Sequence, residues 1–126
     1  MEAFMSKALI LILNDLRRLD EVHQIFFKHA CGATTLDSAG LGKALIANEI
    51  ALPDYADWRA LIEHDKPYHK TIISVIRSEE KLRSVIRALR ESLDIDSTSN
   101  HGSGFMFVLP VDECFGYALD QSDTDS

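Results

Sequence analysis

Two short glycine loops have the residue types and spacing that suit binding of an anionic ligand. They are Gly40-Leu41-Gly42-Lys43 and Gly102-Ser103-Gly104. Glycine lets backbone N–H groups point together as an anion nest and lets a ligand come close to the backbone. The side chains that add hydroxyl or ammonium groups are Thr34, Thr98, Ser103 and Lys43. Each Gly-x-Gly alone is more often an ordinary turn, so the interpretation depends on the elements that hold the loops.

The other reactive side chains form no recognised catalytic or metal centre in the sequence. His64, Asp65 and His69 are residue types that bind zinc or copper, but their spacing matches no known site and Pro67 interrupts it. No pair of a nucleophile and a base is evident from the sequence. We therefore predict neither a metal site nor an enzyme.

The composition limits the class of protein. A chain of 126 residues suits one domain, 1–126, that folds without disulfides, so Cys31 and Cys114 are expected to be free thiols. The net charge of −7 argues against a nucleic-acid partner, because phosphate backbones are bound by Lys and Arg patches. No apolar run reaches the roughly 20 residues that span a bilayer, and no signal peptide is evident. We expect a cytoplasmic protein without membrane insertion.

The elements that must position the loops follow from hydrophobic periodicity, which predicts four strands and two main helices. The predicted strands are 8–13, 34–38, 69–76 and 105–109; the predicted helices are 16–30 and one that opens at Ser78. This order is two β-α-β units, which predicts an α+β, ferredoxin-like βαββαβ fold with one antiparallel sheet and both helices on one face. Residues 39–67 form a long insertion with a short helix at 53–63. The tail, 113–126, is expected to be disordered at its acidic end.

The apolar stripes predict how these elements pack. The first helix carries Leu19, Val22, Phe26 and Ala30, with Gly32 as its stop; the second carries Leu82, Val85, Ile86, Leu89 and Leu93. The first and last strands are apolar at every position, so both of their faces must be covered. Because two helices cover only one sheet face, we expect the protein to associate with itself.

Four segments, in order, resemble the P-II (nitrogen regulatory protein P-II) signal-transduction family of trimeric bacterial sensors. They are Arg18-Leu19-Asp20-Glu21-Val22, Gly32-Ala33-Thr34-Thr35 with the first glycine loop, Thr98 to Gly104, and Phe107-Val108-Leu109-Pro110-Val111. The likeness covers residues 7–113 apart from the interior of the long loop. It equates residues 39–67 with the family's mobile T-loop and residues 98–104 with its phosphate-contacting B-loop.

The resemblance implies a homotrimer that binds a small effector in the cleft between subunits and contacts a target protein through residues 39–67. The effector would be an adenine nucleotide or a cyclic dinucleotide. The implied binding residues are Thr34, Gly40, Leu41, Gly42, Lys43, Thr98, Gly102, Ser103 and Gly104. The two glycine loops should then meet across a subunit boundary. A valine at position 104 should block the cleft and leave the fold intact.

This chain departs from the family's pattern in its basic residues. Phe105 stands where the family's B-loop ends in lysine, and no Lys or Arg follows Arg90, where the family has arginines that hold phosphates. Charge-assisted bonds to Lys and Arg are the strong ones. We therefore expect a ligand with one phosphate, or with its charge spread out, in preference to a triphosphate.

Two alternatives stay open at this point. A trimeric divalent-metal-binding protein like the CutA family would share the fold and the assembly. A P-II-like adaptor that has lost its ligand would act by protein contact alone.

Overall fold

Four strands form one antiparallel sheet, and two helices pack against it. The computed structural model describes residues 5–40, 68–96 and 103–116. Its strands are β1 (Lys7–Leu13), β2 (Thr34–Ala39), β3 (Tyr68–Ile76) and β4 (Gly104–Pro110), and its helices are α1 (Leu19–Lys28) and α2 (Glu79–Leu93). A 3-10 turn, Leu16–Arg18, leads into α1. The predicted loop helix, 53–63, lies outside the described residues.

The strand order in the sheet is β2-β3-β1-β4, and every neighbouring pair is antiparallel. This arrangement is compatible with the predicted ferredoxin-like fold, so the expected α+β class is confirmed. The long insertion lies between β2 and β3. In the order β2-β3-β1-β4, β1 and β3 are the central strands of the described sheet, and β2 and β4 are its two edges.

One face of the sheet forms the core with both helices. Alternate residues of β1 point to this face, and the register places Leu11 opposite both Ile72 and Met106. The fully buried apolar side chains are Leu9, Leu11, Leu13, Ile72, Ile76, Val22, Leu82, Val85, Leu89 and Leu93. The predicted stripe of α2 is confirmed, with Ile86 partly buried at its margin.

The other face of the sheet is apolar and open. Ile10 lies opposite Ile73 and Phe107. The exposed apolar side chains of this face are Leu36 at 47%, Phe105 at 60% and Leu109 at 46%. We call this surface the apolar sheet face. In the described ranges both helices lie on the opposite side, so nothing described there covers it.

The end of α1 differs from the prediction. The helix ends at Lys28, and Ala30 takes a left-handed conformation with φ of 55°. The backbone N–H of Ala30 donates to the carbonyl of Phe27, and that of Cys31 donates to the carbonyl of Phe26, each over 3.0 Å. This pair of bonds is a Schellman motif. The prediction that Ala30 continues the helical stripe and that Gly32 stops the helix is therefore wrong.

Candidate functional site

Both glycine loops attach at the same end of the sheet. Leu13, at the end of β1, lies opposite Lys70 near the start of β3 and opposite Gly104 at the start of β4. β2 ends beside the start of β3, and Gly40 follows it. The loops therefore start from the two opposite edges, which are separated by three inter-strand spacings, or roughly 14 Å. Within one chain, Gly40 and Gly104 do not come together.

The His69 ring approaches Gly40 closely. A β-carbon at position 40 would collide with His69 Cε1 and would lie 3.0 Å from its Nδ1. The ring lies at the base of the long insertion, opposite Ser38 in the register. The sequence singled out Gly40 for backbone freedom, but the structure gives a steric reason for it.

Lys70 is a cation at this end of the sheet that sequence reasoning missed. Its ammonium group forms an ion pair with Asp37, its partner in the register of β2 and β3. Leu16, Asp37, His69 and Lys70 line a cavity of about 400 Å³ at the base of the insertion. Only the strand register could have revealed this pair, because the two residues are distant in the sequence.

A second charged group follows β1. The Asp15 carboxylate accepts from the Arg17 side chain at 2.9 Å and from its backbone N–H at 3.2 Å, and so caps the 3-10 turn. The hydrogen bond from the Arg17 side chain, opposed by desolvation and aided by the bond from the Arg17 backbone, lowers the pKa of the Asp15 carboxyl. The same bond raises the pKa of the Arg17 guanidinium. Asp15 therefore stays charged in mildly acidic solution.

Ser103, a predicted ligand residue, makes hydrogen bonds within its own chain. Its side chain is 4% exposed, and its hydroxyl donates to the carbonyl of Leu93 at the end of α2 over 2.8 Å. Its carbonyl accepts from the backbone N–H groups of Asn14, over 3.0 Å, and Asp15, over 3.2 Å. Ser103 therefore ties the start of β4 to the ends of α2 and β1.

Gly104 also faces inward. A β-carbon there would lie 3.4 Å from the Ile12 carbonyl oxygen, 3.4 Å from Leu11 Cδ1 and 3.6 Å from Leu93 Cδ1. One methyl group fits, but the branches of valine would enter the core. That a valine at position 104 leaves the fold intact stays a prediction, and the direction of the position towards the helices argues against it.

The remaining predicted residues are divided between the apolar sheet face and the undescribed segments. Thr34 is exposed on the apolar sheet face, opposite Ile73. Leu41, Gly42, Lys43, Thr98 and Gly102 lie outside the described residues.

The structure also brings together an imidazole and a hydroxyl that the sequence did not suggest. His23 Nε2 lies 2.9 Å from Thr35 Oγ1, where α1 packs beside β2. They line a groove of about 380 Å³ with Phe27, which is 84% exposed, and the buried Cys31. A periodicity argument cannot find such a pair, because it crosses from a helix to a strand.

The described part of the chain shows neither a metal-binding cluster nor a membrane-spanning helix. There, no three His, Cys, Asp or Glu side chains converge in a way that could hold a metal ion. His64 and Asp65, two of the residues considered for metal binding, lie outside that part. Neither described helix is long and apolar enough to cross a bilayer.

Comparisons with known proteins give the fold alone. No protein-family model matches the sequence, and no curated protein matches it. The structure is similar to that of a functionally unknown protein from Pediococcus pentosaceus ATCC 25745. The TM-score is 0.56 and the identity 17%, and the match covers 91% of this chain and 100% of that chain.

The contact of Gly40 with His69 gives a first prediction. In Gly40→Ala the new methyl group should turn the His69 ring away, because the ring is the flexible end of its side chain. We expect the free energy of unfolding to fall by about 1 kcal/mol and the His69 ring resonances to shift. In a His69→Ala background the same change should cost nothing. An equal cost in both backgrounds, measured in a double-mutant cycle, would contradict the contact.

Proposed function

We propose that this protein is a non-enzymatic, cytoplasmic regulatory protein of the P-II-like kind. It acts as a homotrimer, binds an adenine nucleotide or a cyclic dinucleotide between subunits, and contacts a target protein through residues 39–67. One observation carries this proposal: both glycine loops attach at one end of the sheet but on its opposite edges. A site that uses both loops then needs two chains.

The apolar sheet face supports association of several copies. Its central residues, Ile10, Ile73 and Phe107, form one row across three strands. Monomeric proteins rarely expose a large continuous apolar patch. A second and a third copy would remove this surface from water.

The two edges support a shared cleft. Copies packed through the apolar sheet face and arranged in a ring bring the β2 edge of one chain towards the β4 edge of the next. Gly40 of one chain would then approach Gly104 of its neighbour. The threefold number itself comes from the likeness to the P-II family.

The charges near the loops favour a ligand with little concentrated charge. The described cations near the loops are already paired with carboxylates, Lys70 with Asp37 and both Arg17 and Arg18 with Asp15. Lys43 adds another cation from the sequence. A triphosphate would lack the several basic partners it needs. Cyclic-di-AMP and AMP spread or reduce the negative charge and fit better.

The test is a thermal-stability scan of the full chain with AMP, ATP, cyclic-di-AMP, adenosine, Mg²⁺ and Zn²⁺. A ligand at 100 times its Kd should add about 2.7 kcal/mol of stability. We expect the largest increase with cyclic-di-AMP or AMP. Lys43→Ala should reduce the increase for these anions and leave that for adenosine unchanged, whereas Lys28→Ala, a lysine at the far end of α1, should change neither.

Other outcomes would overturn the proposal. Stabilisation by a divalent metal alone would favour the CutA-like alternative. No stabilisation by any compound would favour an adaptor without a ligand. Stabilisation by a nucleotide that is indifferent to Lys43→Ala would put the site elsewhere.

A further inference from the structure

The outer flank of α2 carries a charged stripe that the proposed function does not use. Its residues follow one another at i, i+3, i+4, i+7, i+8 and i+11, which places them on one side of a helix. They are Arg83, Ile86, Arg87, Arg90, Glu91 and Asp94. With Asp96 they line a groove of about 470 Å³. We call this surface the α2 stripe.

The α2 stripe is divided by charge. Arg83 and Arg87 occupy its N-terminal half, and Glu91, Asp94 and Asp96 occupy its C-terminal end. Arg90 lies between them and pairs with Asp96, with 2.8 Å from Nε to Oδ2. In the described part of the chain, no ion pair involves Arg83 or Arg87. Both arginines are exposed.

The α2 stripe faces away from the sheet and from α1, the described elements that pack beside α2. The core stripe of α2, which includes Leu89, points towards the sheet. On the opposite flank, Arg18 beside α1 donates from Nη1 to the Ser92 carbonyl over 2.8 Å. Among the described residues, the stripe therefore lies neither against α1 nor on the apolar sheet face, and no described element covers it.

The charge pattern is complementary to itself. If two α2 helices lie antiparallel about a two-fold axis near the level of Leu89, the basic half of each meets the acidic end of the other. Arg87 then faces Glu91 of the second copy, and Arg83 faces its Asp94 and Asp96. Ile86, half-buried between the arginines, adds an apolar contact. Two-fold contacts use the same patch on both partners and require this kind of self-complementarity.

We propose that the α2 stripe is a docking surface for a second copy of this chain, in a two-fold contact between antiparallel α2 helices. The contact is separate from the apolar sheet face. It therefore links one assembly to another, whereas the apolar sheet face holds the copies within each assembly together. A free polyanion fits the groove less well, because the three carboxylates at its C-terminal end would repel it. Exposed ion pairs are individually weak and are screened by salt, so the contact is reversible and depends on ionic strength.

The test uses two charge-swapped variants of the full chain. The acidic variant carries Arg83→Glu and Arg87→Glu, and the basic variant carries Glu91→Lys and Asp96→Lys. Asp94 stays unchanged because it ends α2 with φ of 50°, a conformation that disfavours lysine. Sedimentation is measured for the wild type, for each variant, and for their equimolar mixture.

We expect the wild type to associate at low salt, with an association constant that falls at least about tenfold between about 50 mM and 500 mM NaCl. Each variant alone should lose this association, and the mixture should regain it. Association of the wild type without recovery in the mixture would contradict the pairing. If the wild type and the variants sediment alike at every salt concentration, the α2 stripe forms no contact between copies. Binding of inorganic phosphate by wild-type Arg83 and Arg87, without self-association, would replace it with an anion site.

The experiment distinguishes a failure of the α2 contact from a failure of the proposed trimer. At high salt both variants should keep the assembly that the wild type has, since the apolar sheet face is unchanged. A variant that falls to a smaller species there would place the α2 stripe inside that assembly and contradict the proposal.

Discussion

Replacement of Ile10 by aspartate is expected to separate the protein into folded monomers. Ile10 lies at the centre of the apolar sheet face, between Ile73 and Phe107. An unpaired charge buried in an interface costs about 3–5 kcal/mol, which raises the Kd of assembly by about 10² to 10⁴-fold. Because the side chain lies outside the core, the circular dichroism of the monomer should resemble that of the wild type.

Sedimentation velocity at high salt, where the α2 stripe is screened, measures this effect. Gln24→Asp is the matched control, since Gln24 is exposed on α1 and the change introduces the same charge. The control should keep the wild-type assembly. A wild-type chain that is itself a stable monomer at micromolar concentration would refute both the prediction and the proposed cleft between subunits.

Leu11→Ala is expected to cause the largest loss of stability among single truncations in β1. Leu11 is 0% exposed and lies between Ile72 and Met106 beneath the helices. Removal of a fully buried leucine side chain leaves a cavity and typically costs about 2–5 kcal/mol. Denaturant unfolding at constant protein concentration should show this as a lower midpoint with an unchanged slope.

Leu16→Ala is the control for this truncation. Leu16 is 40% exposed in the 3-10 turn, so the same change should cost about 1 kcal/mol or less. If the two variants lose equal stability, Leu11 does not belong to the core and the assignment of the two sheet faces is reversed.

The sequence predicted the elements well because their patterns are local. The predicted strands 8–13, 34–38, 69–76 and 105–109 each lie within the observed strands, which extend one or two residues further. Ser78 caps α2 as expected, accepting at Oγ from the backbone N–H of Lys81 over 3.3 Å. Both features depend on neighbours in the chain, so periodicity and capping preference suffice to find them.

The candidate site was harder to predict because it depends on which residues face each other. Gly104 belongs to a glycine loop in the sequence, yet a β-carbon at this position would point towards Leu11 and Leu93. Ser103 looks like a ligand hydroxyl but closes a hydrogen bond with Leu93. The pairing of Lys70 with Asp37 requires the register of two strands. None of these contacts has a signature within a short window of sequence.

The Schellman motif at the end of α1 was also not predicted, but for a different reason. A glycine is the usual left-handed residue there, and Gly32 was available two positions later. The chain instead places Ala30 in that conformation, so that Cys31 turns into the core at 3% exposed. The left-handed residue therefore comes two positions earlier than glycine preference alone suggests.

The strand order has a consequence for synthesis of the protein on the ribosome. β1 is made first, but its two partners in the sheet, β3 and β4, are made after the long insertion and after α2. During most of translation β1 therefore carries unpaired edges on both sides and apolar side chains on both faces. Such a segment is prone to misassociation until its partners arrive. The nascent chain has to keep its most hydrophobic strand apart from other chains for longer than any other strand.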